Sequence, residues 1–103
     1  MKGYKNKVSG QSNAMIGFEN SIFGDFNKLF GVKNKVYGDG NQILKGNENK
    51  VKGSNNTLLG NKNVLVGNIN NVLGSENYVA GNKNNLKGDN NTVVGDVNNV
   101  VGS

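Results

Sequence analysis

Fourteen asparagines recur at one fixed place in a short phrase: Asn6, Asn13, Asn20, Asn27, Asn34, Asn41, Asn49, Asn56, Asn63, Asn70, Asn77, Asn84, Asn91 and Asn98. A carboxamide neither titrates nor attacks. It offers two N–H donors and an oxygen with two lone pairs, so a column of amides can bond to itself and to nearby backbone. That is structural chemistry, and little else is on offer. The chain has no His and no Cys, which removes imidazole catalysis, disulfides and zinc fingers. The acids Glu19, Asp25, Asp39, Glu48, Glu76, Asp89 and Asp96 stand between successive phrases, where polar turn residues are expected. They form no cluster with Lys, Ser or Tyr. No enzyme, no catalytic residue, no cofactor and no metal site is therefore expected. Calcium-binding rolls place Asp in a Gly-rich nonapeptide, whereas this shorter phrase carries neutral Asn. Neither GxGxxG nor a P-loop occurs. Two sequons, at Asn55 and Asn90, are accidents of an Asn-rich chain.

The elements that must position these amides follow from the phrase itself, x-x-Asn-x-aliphatic-x-Gly. Two residues after each Asn come Val8, Met15, Ile22, Leu29, Val36, Ile43, Val51, Leu58, Leu65, Val72, Val79, Leu86, Val93 and Val100. Gly follows two places later, from Gly10 to Gly102, with one slip in QILKG, where Lys45 is inserted. A seven-residue period also suits a coiled coil, but that needs two apolar positions per heptad in helix-forming sequence. One Gly per heptad, each costing about 1 kcal/mol against Ala, excludes it. Asn, aliphatic and Gly instead alternate at the period of a strand. They face inward, the residues between them face out, and the leading x-x pair turns a corner.

A strand this short buries nothing alone, so strands must stack as a solenoid. Two heptads close one coil, and fourteen heptads over residues 4–102 give about seven coils and a body about 34 Å long. The expected fold is an all-β, parallel two-sheet β-solenoid, one domain over residues 1–103. Aliphatics should form a thin core, Asn side chains should ladder along the axis, and Lys45 should bulge at a corner.

Odd and even heptads face opposite ways. The even face carries Ala14/Ile16, Lys28/Phe30, Gln42/Leu44, Thr57/Leu59, Asn71/Leu73, Asn85/Lys87 and Asn99/Val101. Its second column reads as an exposed apolar stripe, which marks an interaction surface. The odd face is basic and aromatic at first (Lys7, Phe23, Lys35, Tyr37, Lys50, Lys52), then small and apolar (Val64, Val66, Tyr78, Ala80, Thr92, Val94). Residues 1–52 hold nine Lys and four acids, while residues 53–103 hold three of each. With no Arg for bidentate contacts, specific nucleic-acid binding is not expected. No apolar run approaches the ~18–20 residues of a membrane span. No signal peptide is visible, and location stays open. The repeat runs between Met1 and Ser103 without polar caps, which predicts exposed ends able to stack end to end.

The unit seen in GSNNTLLGNKNVLVG and GDNNTVVGDVNNVVG resembles the repeat of ice-recrystallisation-inhibition (antifreeze) proteins of cold-hardy grasses, and QILKG resembles that family's NxVxxG variant. The resemblance spans residues 4–102. It implies a left-handed β-roll with internal Asn ladders and a flat face, mostly Thr, Ser and Val, that binds ice or ordered water outside the cell. Here the outward threonines are Thr57 and Thr92, amid Lys, Phe, Tyr and Leu. The even face, with Thr57, Leu59, Asn71, Leu73, Asn99 and Val101, is the expected binding face; Val64, Val66, Tyr78, Thr92 and Val94 form a secondary apolar face. The unit is less similar to the head repeats of trimeric autotransporter adhesins, whose rolls trimerise. That similarity implies the alternative: a self-assembling structural or adhesive solenoid, its apolar columns buried against copies of itself as a homo-oligomer or filament.

Overall fold

The structure, a computed structural model, describes residues 2–102; the side chains of Lys2 and Leu44 lie outside what it describes. The chain alternates between two parallel sheets. It runs β1 (Lys2–Tyr4), β2 (Lys7–Ser9), β3 (Ala14–Phe18), β4 (Ser21–Phe23), β5 (Lys28–Val32), β6 (Lys35–Tyr37), β7 (Gln42–Asn47) and β8 (Lys50–Lys52). It continues with β9 (Thr57–Leu59), β10 (Val64–Val66), β11 (Asn71–Leu73), β12 (Tyr78–Ala80), β13 (Asn85–Lys87), β14 (Thr92–Val94) and β15 (Asn99–Val101). Odd-numbered strands, β1 followed by those of the seven even heptads, form an eight-stranded sheet, and even-numbered strands, from the odd heptads, a seven-stranded one. Each strand pairs with the equivalent strand one coil on, as Asn71 with Asn85 and Val64 with Tyr78. The roll measures 35 × 20 × 14 Å, matching about seven coils at the strand spacing.

Most paired segments are three residues long, shorter than the five-residue strands the alternation predicts. The physical reason is that Asn and Gly are claimed by the corners. Between the sheets, one aliphatic per heptad from Met15 to Val93 is buried as a single row-by-row core, with Val100 packed against it. This row is the apolar half of the stabilisation; the amides supply the polar half.

The Asn side chains form two ladders, one inside each corner. Asn56 shows the pattern. Its Nδ2 donates to Asn41 Oδ1 (3.0 Å) and to the Gly67 carbonyl (2.9 Å). Its Oδ1 accepts from the Asn70 backbone N–H (2.9 Å) and from Asn70 Nδ2 (3.1 Å). Both donors and both lone pairs are used, so an amide can be buried without the desolvation cost of an orphaned group. Among the described residues, no buried side-chain nitrogen or oxygen lacks a partner.

From Gly10 to Gly88, Gly closes each heptad where an added Cβ would run into the backbone of the next coil. A Cβ on Gly60 would lie 1.7 Å from the Gly74 carbonyl oxygen, and its φ of +137° is one that side chains avoid. The following corner pair adopts a conformation that the repeat does not advertise. Its second residue is left-handed, with φ between 56° and 60° at thirteen non-glycine positions among the described residues, including Phe26, Ile69 and Val97. Gly40 is the glycine at an equivalent place (φ 65°).

The insertion corrects two expectations. It is absorbed within β7 and not at a corner: between Leu29 and Gly31 of β5 stands one residue, and between their partners Ile43 and Gly46 stand two. A corner must keep a left-handed residue, a packed Gly and its ladders in register. The outward side of a strand sacrifices only one pairing, so the bulge settles there. Downstream, Lys45 takes the place opposite Leu59, where Leu44 was expected; the Leu44 side chain lies outside the described ones. The even-face apolar stripe is thus interrupted by Lys45 as well as Lys87.

Candidate functional site

Because the core claims one side of every strand, the other side presents two columns of outward side chains per sheet. On the eight-stranded sheet, Thr57, Asn71, Asn85 and Asn99 follow one another in register, beside Leu59, Leu73, Lys87 and Val101. Successive members of a column stand about 4.8 Å apart. All six residues expected on the binding face lie together here and line one shallow trough with Asn85 and Lys87. Thr57 and Leu59 are half-buried; Asn71, Leu73, Asn99 and Val101 are exposed.

The seven-stranded sheet brings Val64, Val66, Tyr78, Ala80, Thr92 and Val94 into a second grid, aligned strand by strand. Three consecutive coils there carry no charge. Nearer the N-terminus the same sheet carries Lys35 opposite Lys50 and Tyr37 opposite Lys52. Phe23 and Tyr37 meet with ring centroids 5.3 Å apart. On the other sheet Tyr4 and Phe18 meet at 4.7 Å.

Two features of the corners escaped sequence reasoning. The first corner residue forms an outer ladder. The side-chain oxygens of Asp25, Asp39, Asn47, Asn61, Asn68, Asn82, Asp89 and Asp96 each accept a backbone N–H from the preceding coil at 2.7–3.0 Å. The Asn and Asp residues that immediately follow Gly were the available signal. The second feature is a charge column at one corner: Lys5, Glu19, Lys33, Glu48, Lys62 and Glu76 occupy successive left-handed positions. The alternation sets unlike charges next to each other along the edge. It is visible only once residues fourteen or fifteen apart are known to be neighbours.

What the described surface presents is ordered rows of side chains. No group of three or more His, Cys, Asp or Glu residues is placed to bind a metal among the described residues. No helix among them is long and apolar enough to cross a membrane.

No curated protein matches the chain. A family model described as the grass antifreeze beta roll matches residues 1–102. With the two-sheet roll, the Asn ladders and the strand-by-strand outward columns, that match shows that the chain belongs to the grass antifreeze β-roll family.

Proposed function

We propose that the chain is a non-enzymatic ice-binding roll that inhibits ice recrystallisation through the eight-stranded sheet, at Thr57, Leu59, Asn71, Leu73, Asn99 and Val101. The observation that carries this reading is the in-register pairing of these columns on a sheet whose underside is locked by buried aliphatics and amide ladders. Ice adsorption needs many weak contacts at fixed spacing, made without ordering the surface at the moment of binding; a preorganised grid avoids that entropic cost. Small polar and apolar groups in alternate columns hold first-layer water between them, so the layer meets the lattice already arranged.

The seven-stranded sheet is the second reading, because Val64, Val66, Tyr78, Ala80, Thr92 and Val94 form a three-coil grid that no lysine interrupts. One experiment separates them. Leu73→Lys and Ala80→Lys each place a cation in the middle of one grid and leave the core untouched. Ice-recrystallisation inhibition is measured for both beside the parent and a heat-denatured sample. Loss with Leu73→Lys alone supports the eight-stranded sheet, and loss with Ala80→Lys alone moves the site to the other. Inhibition unchanged by both, or absent from the folded parent, refutes binding through these grids.

A further inference from the structure

Three lysines of the N-terminal half, Lys35, Lys50 and Lys52, are not placed as the corner column places charge. In parallel and antiparallel sheets alike, like charges on directly opposed positions repel, and unlike charges stabilise. The corner column from Lys5 to Glu76 obeys this, alternating sign at each step. On the outward face of the seven-stranded sheet, Lys35 stands directly opposite Lys50, and Lys52 follows two residues along the same strand. These three lysines surround Tyr37 in a shallow depression that also reaches Val64 and Val66. No acid stands in either outward column of this sheet. At the adjoining corners, Glu48 comes two residues before Lys50 in a column flanked by Lys33 and Lys62, and Asp25 and Asp39 each use Oδ1 to accept a backbone N–H. The outward columns here carry positive charge only, and an external anion would relieve the Lys35–Lys50 repulsion.

We propose that this half-face docks on an anionic phospholipid bilayer, with Lys35, Lys50 and Lys52 around Tyr37 seating a headgroup. Three observations select a bilayer over other polyanions. The lysines project from a rigid sheet as a planar array, which fits a planar charged surface. Aromatic side chains accompany them: Phe23 packs on Tyr37, and Phe26 at the adjoining corner is 70% exposed. The Tyr37 ring suits the headgroup level of a membrane, and exposed Phe suits the boundary between headgroups and acyl chains. Finally, the chain lacks the Arg that nucleic-acid phosphates attract for bidentate contacts. Clustered lysines act on a bilayer as point charges, each adding attraction that decays within a Debye length. The mode is peripheral and independent of ice binding by the C-terminal half.

The test is flotation of the full chain with phosphatidylserine–phosphatidylcholine vesicles and with pure phosphatidylcholine vesicles, at low and high salt. Binding is expected with the anionic vesicles alone and should fade as salt rises. The double variant Lys35→Ser/Lys50→Ser should bind about 25-fold more weakly, at roughly fivefold per lysine. Lys28→Ser, on the opposite sheet, should bind as the parent does. Because the chain has no Trp, Phe23→Trp supplies a probe whose emission should shift to the blue on anionic vesicles. Circular dichroism verifies that each variant is folded. The proposal is overturned by equal binding to neutral vesicles, by an unchanged double variant or by a Lys28→Ser loss of the same size. Retention on DNA or a polyuronate without vesicle binding overturns it too.

Discussion

Replacing Asn56 by Ala tests whether the amide ladder is a principal support of this roll. The substitution deletes four hydrogen bonds, but their loss is uneven in consequence. Asn41 Oδ1 keeps the Asn56 backbone N–H, and Asn70 Nδ2 keeps the Gly81 carbonyl. The Gly67 carbonyl and the Asn70 N–H lose their side-chain partner. The stranded Asn70 N–H is buried and the Gly67 carbonyl half-buried, so at about 1–3 kcal/mol for the first and less for the second the expected destabilisation is about 2–4 kcal/mol. Asn98 is the internal comparison: it is half-buried, and its Nδ2 bonds Asn84 Oδ1 (3.0 Å). Asn98→Ala should cost no more than about 1 kcal/mol, the net worth of one such bond. Both variants and the parent are unfolded in urea and followed by far-ultraviolet circular dichroism, with the slopes compared so that midpoints translate into stability. A difference between the two variants below about 1 kcal/mol would refute the claim that ladder satisfaction, and not local packing, sets the cost.

Two further perturbations address the corners. Ile69 and Val97 hold φ of 58° and 57° with β-branched side chains, a conformation that costs an L-residue roughly 1–2 kcal/mol and that Asn tolerates better. Ile69→Asn and Val97→Asn should therefore each stabilise the roll by about 1 kcal/mol; a lowered urea midpoint for either would contradict this. Gly60→Ala should abolish the fold, since its Cβ would meet the Gly74 carbonyl oxygen at 1.7 Å. A soluble Gly60→Ala protein with the parent's circular dichroism spectrum would show that adjacent coils can separate.

The fold was legible because the heptad repeats the same physical demand fourteen times. An Asn, an aliphatic and a Gly at alternate positions allow one pairing geometry, and a single misread unit is outvoted by its neighbours. Met15 to Val93 and Asn20 to Asn84 are buried where the alternation puts them. The family resemblance rests on the same units and is matched over residues 1–102. The candidate face was legible as a set of positions. Thr57, Leu59, Asn71 and Leu73 share one sheet because every other heptad shares a sheet.

What the order of residues determined by itself is therefore the local decision: which side chains point inward, where Gly is obligatory and how many coils result. These depend on neighbours within seven residues. The tertiary structure decided everything that depends on neighbours one coil away. It placed the bulge in β7, so that Lys45 and not Leu44 stands opposite Leu59. It turned the residues after Gly into an outer ladder of Asp and Asn acceptors. It also set Lys35 against Lys50 while Lys33 alternates with Glu19 and Glu48. The physical reason is stacking: side chains fourteen or fifteen residues apart come within one strand spacing, and a one-residue insertion changes who those neighbours are without altering the repeat on either side.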